Sequence, residues 1–247
     1  MTRRLPKQGS IRNVVTGRSD GYTGRVPFAR LLTTCAYESL LSGDFLVQTA
    51  AFEPDVTGID SEPFRIHLST DDGETLWTPD YRIMRASGSR EIVEVKPVED
   101  VHPERARIQR GPPDELAHRM REAAARFAAM GRAASELGYR FRLLTEDEIR
   151  IEPRLSNAML ILRYAGQRFP SSWLMQARVA LATQAVFNVD GLQAYLSPNI
   201  DAFPLALHLA WLGELEFDPT RPFSRGSRFV RVGHRLLDPT FASRANS

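Results

Sequence analysis

Apolar residues recur every three or four positions along DELAHRMREAAARFAAMGRAASEL, with Leu116, Met120, Ala123, Phe127, Met130, Ala134 and Leu137 on one stripe. The spacing predicts a helix over 114–137, closed by Gly138. A second helical pattern runs from about Thr34 to Ala50, anchored by Leu41, Phe45 and Leu46. Glu38 stands three residues before Leu41 and seven before Phe45, so that helix would carry it on the inward stripe. A carboxylate there is costly unless something pairs with it. Between the two helices the period shortens to two. Strand signals fall at PFRIHL (63–68), TLWTPDYRIM (75–84) and EIVEVK (91–96), with turns at Asp71-Asp72-Gly73 and Ser87-Gly88-Ser89 and a stop at Pro97. A Pro-rich link (102–113) leads to the long helix, and YRFRLL (139–144) adds a strand. This order predicts an α/β domain over 31–144, a mixed sheet flanked by helices.

From Thr145 the pattern changes. Thr145-Glu146-Asp147-Glu148 is a capping box, followed by helical stretches near 155–165, 171–187, 190–196 and 202–212, with a turn at Asp190-Gly191. GELEFD and SRFVRV would close as a short hairpin. These elements predict a mainly helical, winged-helix-like domain over 145–247. Residues 1–30 carry Gly, Ser, Pro and Arg without period and read as an extended basic arm.

The chemistry concentrates in residues 78–97, TPDYRIMRASGSREIVEVKP. In EIVEVK, Val93 and Val95 share one face and Ile92, Glu94 and Lys96 the other. Opposite charges on one strand face make either a cross-strand ion pair or a metal ligand with a cation beside it. For the second, Asp80 and Glu94 are hard oxygen donors that suit Mg²⁺, and Lys96 can position a water or stabilise a developing oxyanion. The Val95 carbonyl at the same strand edge is a candidate backbone ligand.

Composition narrows the class. The 247 residues are 43% hydrophobic and 25% charged, as in ordinary globular proteins, and hold room for one large domain or two modest ones. No apolar run approaches the roughly 18–20 residues that span a bilayer, and MTRRLPKQGS lacks a signal-peptide core, so a cytoplasmic protein without a membrane partner is expected. Cys35 is the only cysteine, and the five histidines are scattered without ligand spacing, which argues against zinc. Net charge is +2 but uneven: residues 1–30 hold seven bases against Asp20, and residues 44–100 hold thirteen acids against five bases. Basic excess returns over 105–132 and 219–247. Such a belt would repel DNA unless cations sat among its acids.

Pro79-Asp80, a 13-residue gap and Glu94-Val95-Lys96 resemble the PD-(D/E)xK nuclease motif. Longer stretches, namely YESLLSGDFLVQTAAFEPDV, SEPFRI, WTPDYRI, EIVEVKP and RFRLLTEDEIRIEPRLSNAMLILRY, resemble the TnsA family, the endonuclease subunit of heteromeric transposases. The resemblance runs from about Gly24 to Arg163 and continues to about Arg231 in helical layout only. It implies a restriction-endonuclease-like domain that cleaves the 5′ strands at transposon ends, using Mg²⁺ with Mn²⁺ as a substitute. It also implies a DDE-type transposase partner for the 3′ strands and an AAA+ ATPase regulator on the C-terminal part. The family's helix-borne acid falls on Glu38, its metal-binding Asp on Asp80, and its Gln/Glu-x-Lys pair on Glu94 and Lys96. Glu38, Asp80, Glu94 and the Val95 carbonyl would then be the metal ligands.

Two other readings stay open, a stand-alone restriction or defence nuclease and an inactive scaffold. Intact Glu38, Asp80, Glu94 and Lys96 argue against the scaffold. Arg82, on the face of Asp80, and Arg225, Arg228 and Arg231 on the last hairpin are candidate DNA contacts, with solvated or protein-facing roles as the alternative. Trp77 and Tyr81 read as core rather than base-stacking residues, Cys35 as a small buried hydrophobe, and Arg119, Arg121, Arg126 and Arg132 as a polar helix face.

Overall fold

The computed structural model describes residues 22–70, 73–108, 111–183 and 186–232. Most of the expected basic arm, and Asp71 and Asp72 of the first expected turn, lie outside the described residues. The chain forms two compact units, Met1–Ile151 and Glu152–Ser247.

The first unit opens with β1 (Gly24–Phe28), a 3-10 turn, and β2 (Thr33–Tyr37), paired antiparallel. The helix expected from Thr34 therefore starts later, as α1 (Leu40–Phe52). The β-branched pair Thr33-Thr34 favours the extended chain, and the Ser39 side chain caps the helix by accepting from the Ser42 N–H at 3.0 Å. Leu41, Phe45 and Leu46 are buried as the spacing predicts, but Glu38 stands outside the helix, in the exposed bend before its cap.

Next come β3 (Val56–Ser61), β4 (Ile66–Thr70), β5 (Gly73–Trp77), β6 (Tyr81–Arg85) and β7 (Arg90–Val95). After them follow α2 (Val98–Val101), a second 3-10 turn, α3 (Pro113–Glu136), β8 (Arg140–Leu144) and α4 (Glu146–Ile149). The run TLWTPDYRIM is two strands, not one. Pro79 has no N–H for a ladder, so β5 folds back on β4 while β6 joins a different sheet. That sheet has the order β3-β6-β7-β8, with β7 and β8 parallel and α3 in the crossover between them. Ile92, Val93, Glu94 and Val95 are all buried, so β7 is covered on both faces. Gly138, at φ 74°, takes the left-handed conformation that ends α3. Buried Met130 and Ala134 of α3 pack with Phe64, Ile66, Leu68, Trp77, Ile92 and Tyr139.

The capping box forms as read: Thr145 Oγ1 accepts from the Asp147 N–H and Glu148 Oε2 from the Thr145 N–H at 2.8 Å. The Gln48 amide donates to the Ile149 carbonyl, and Arg150 pairs with Asp44 at 2.9 Å. These bonds tie α4 to α1, so the first unit ends after Ile151 rather than at Leu144.

Part of the acidic belt is neutralised within the fold. Arg85 pairs with Glu53 at 2.6 Å, Asp55 at 3.0 Å and Glu91 at 3.0 Å, and Arg142 reaches Glu91 at 3.0 Å. Burial opposes the charge of Glu91, but hydrogen bonds from Arg85 and Arg142 outweigh it and hold its carboxyl below the ordinary range. The stability this gives is present above the unfolded pKa and lost as pH falls through the folded one. Glu91→Gln is expected to cost about 3 kcal/mol at pH 7, because it leaves two guanidinium groups short of a buried partner. Urea unfolding checks this, and the gap from the parent should narrow on acidification.

The second unit contains α5 (Arg154–Ala165), α6 (Ser171–Thr183), β9 (Val186–Asn188), α7 (Val189–Gln193), α8 (Ala202–Trp211), β10 (Leu215–Phe217) and β11 (Arg228–Arg231). The last two strands form the expected hairpin, and β11 also pairs with β9, giving the antiparallel order β10-β11-β9. The Asp190-Gly191 step lies within α7, where the Asn188 side chain accepts from the Gly191 N–H at 2.6 Å. The link between β10 and β11 is tied down. Buried Asn157 donates to the Pro219 and Arg221 carbonyls and accepts from the Phe223 N–H, at 3.0, 2.7 and 2.9 Å. Leu205 through Trp211 of α8 are all buried. Among the described residues no helix is long and apolar enough to cross a membrane.

Candidate active site

Asp80 and Glu94 meet where β6 begins and β7 ends. The hairpin pairs Tyr81 with Val93, which brings the residue before β6 beside the last residues of β7. The two acids hold each other through the backbone. Glu94 Oε2 accepts from the Asp80 N–H at 3.3 Å, and Asp80 Oδ2 accepts from the Val95 N–H at 2.8 Å. Lys96 stands between them, its Nζ 3.3 Å from Asp80 Oδ2 and 2.9 Å from Glu94 Oε1. Glu94 is 2% exposed at its side chain, against 28% for Asp80 and 24% for Lys96, so the group opens to solvent on the Asp80 and Lys96 side.

Two carboxylates thus share one ammonium. Burial pushes the Asp80 carboxyl above its ordinary range, against the pull of Lys96 and the Val95 N–H. Burial first, then the charge of Asp80, pushes Glu94 up as well. Burial works to lower the Lys96 pKa, but the two carboxylates outweigh it, so Lys96 stays an ammonium at neutral pH. It can neutralise and donate, and it is not poised to abstract a proton.

Four residues that the motif does not include shape this corner. The Trp77 indole N–H donates to Glu94 Oε2 at 3.0 Å, which no sequence signal separates from an ordinary core tryptophan. Glu62 takes a left-handed conformation, φ 44°, and its N–H donates to the Asp80 carbonyl at 2.9 Å. Such strained backbone clusters at functional sites. Tyr81 is buried, with its hydroxyl donating to the Ala36 carbonyl at 3.3 Å, and Phe45 packs against it at a 40° tilt with ring centroids 5.4 Å apart. Burial first, then the charges of Cys35 and Asp80, raise the Tyr81 phenol, with a smaller push from Glu38. Among the described residues no three His, Cys, Asp or Glu side chains gather into a metal-holding group.

The arginines proposed for DNA are placed differently. Arg82 is buried and pairs with Asp60 at 2.6 Å, its direct cross-strand neighbour. Arg225 pairs with Asp201 at 2.8 Å. Arg231 lies with its guanidinium 3.5 Å from the Leu181 carbonyl, while Arg228 is exposed on β11. Cys35 is buried, and burial followed by the charge of Asp60 pushes its thiol up to about 12.

A family model described as TnsA-like endonuclease N terminal matches residues 53–146. The matched stretch contains Asp80, Glu94, Val95 and Lys96, while Glu38 precedes it. No curated protein matches the chain.

Proposed function

Because residues 53–146 form a TnsA-like endonuclease domain, we propose that the chain is the Mg²⁺-dependent endonuclease subunit of a heteromeric transposase, cleaving the 5′ strands at transposon ends. The observation that carries this is the Asp80–Lys96–Glu94 cluster at the mouth of the β6–β7 hairpin. Its donor set fits the metal. Mg²⁺ is typically held by one or two carboxylates plus substrate phosphate oxygens and water, so Asp80 and Glu94 suffice on the protein side.

The Val95 carbonyl would join them. The N–H and carbonyl of one strand residue point to the same edge, and the Val95 N–H points at Asp80. When bound, the cation supplies an activated water and offsets charge on the scissile phosphate. Lys96, kept as an ammonium, stabilises negative charge developing on the phosphate oxygens. Glu38, one bend before α1, is proposed as a third acid of the site. Mn²⁺ would replace Mg²⁺, since both favour oxygen ligands.

The order α6, β9, α7, α8, β10, β11 with β11 central is proposed as a winged-helix variant adapted to protein partners. Its α8 is buried and its hairpin link is tied to Asn157, which leaves neither free to read a groove. Exposed Met175, Val179 and Tyr195 offer an apolar surface suited to a regulator such as an AAA+ ATPase. End recognition is assigned to a DDE-type transposase. Replacing Mg²⁺ by Ca²⁺ tests the metal reading: DNA binding is expected to persist while cutting falls below detection, and equal cutting in Ca²⁺ or in chelator would refute it.

A further inference from the structure

We propose that Trp77 is a positioning residue for Glu94, its indole N–H fixing which carboxylate oxygen is offered to a divalent cation. This role rests on the metal-dependent cleavage proposed above. Trp77 is buried at the end of β5, edge-on to Phe141 with ring centroids 5.8 Å apart. Packing in that cluster needs only an apolar ring. A buried indole N–H also needs an acceptor, and here the acceptor is an acid that is itself 2% exposed.

Glu94 Oε2 receives two neutral donors, the Trp77 indole at 3.0 Å and the Asp80 backbone at 3.3 Å. Oε1 is the oxygen turned to Lys96, at 2.9 Å. The terminal torsion of a glutamate is otherwise broad, so two donors on one oxygen are what hold the other in place. Trp77 belongs to the β4–β5 hairpin, whereas Glu94 lies on β7 and Asp80 directly precedes its partner β6. The bond thus makes a neighbouring hairpin part of the site's support.

The test uses the full chain, with Ca²⁺ binding by calorimetry on the chain alone and the Mg²⁺ dependence of DNA cleavage measured with a transposase partner added. Trp77→Phe is expected to weaken Ca²⁺ binding about ten-fold and raise the half-saturating Mg²⁺ concentration by about as much, the scale of losing a ligand's outer hydrogen bond. The rate at saturating Mg²⁺ should stay close to the parent's. In a Glu94→Ala background the same change should do nothing more. Benzothienylalanine at position 77 keeps the ring shape without the N–H, and should reproduce the shift at an unchanged melting temperature. Parental Ca²⁺ affinity and Mg²⁺ dependence in both position-77 variants would overturn the role while leaving the nuclease reading intact. A parent chain that takes up no Ca²⁺ and cuts no DNA even with transposase added would overturn that reading, and this role with it.

Discussion

Asp80→Asn is expected to reduce DNA cleavage at least about 1,000-fold, the loss of roughly 4 kcal/mol of transition-state stabilisation. The variant should nonetheless be as stable as the parent without metal, or more so. Asparagine keeps an oxygen for the Val95 N–H, which Asp80 Oδ2 accepts at 2.8 Å. It removes one of two carboxylates that share a single ammonium. The pH dependence has a definite sign. Burial raises Asp80 and Glu94, so the folded chain holds those protons more tightly than the unfolded one. Their contribution is favourable at low pH and is lost as pH rises through the raised values. Thermal melts of the metal-free parent should therefore weaken toward alkaline pH more than those of Asp80→Asn. Cleavage within about ten-fold of the parent, only about 1.4 kcal/mol, would show that the Asp80 carboxylate is not a ligand.

Lys96→Met acts in the opposite sense. It leaves Asp80 and Glu94 without the ammonium that now lies 3.3 and 2.9 Å from them. Removing one partner of a buried charge group costs about 3 kcal/mol, which is expected near pH 8. The deficit should shrink toward pH 5 as the two carboxyls, raised further without Lys96, take up protons. Cleavage should fall at least about 100-fold, the scale of removing one transition-state donor. Ca²⁺ affinity should hold or rise, because the ammonium no longer competes for the same oxygens. Loss of Ca²⁺ binding together with stability would instead show that Lys96 builds the site rather than serving its chemistry.

Much of the first unit was legible because its signals are local. The 3.6-residue period of α3, the capping box at Thr145 and the strand signals of β7 and β8 depend on near neighbours. The motif was legible because a hairpin of fixed register carries Asp80 to Glu94 and Lys96. What failed depends on distant partners. Thr33-Thr34 pairs with β1, which turned the start of an expected helix into a strand and left Glu38 before the cap. Arg82 finds Asp60 across β3, 22 residues back, so the face it shares with Asp80 gave no guide to its partner. The Trp77 indole points at Glu94 only because the β4–β5 hairpin packs beneath α3, a tertiary fact with no trace in WTPD. The hairpin arginines of the second unit looked free for phosphate until Asp201 and the Leu181 carbonyl were brought beside two of them.

The most direct test of the Asp80–Glu94–Lys96 cluster as a strand-cleaving site is a strand-resolved nicking assay on transposon-end DNA in Mg²⁺. The full chain is assayed alone and with the transposase proposed as its partner, beside Asp80→Asn. The expected result is 5′-strand cutting at the ends only when transposase is present, and none by Asp80→Asn under the same conditions. Equal cutting by Asp80→Asn would contradict the assigned site, and efficient end-specific cutting by the lone chain would contradict the division of labour with the transposase.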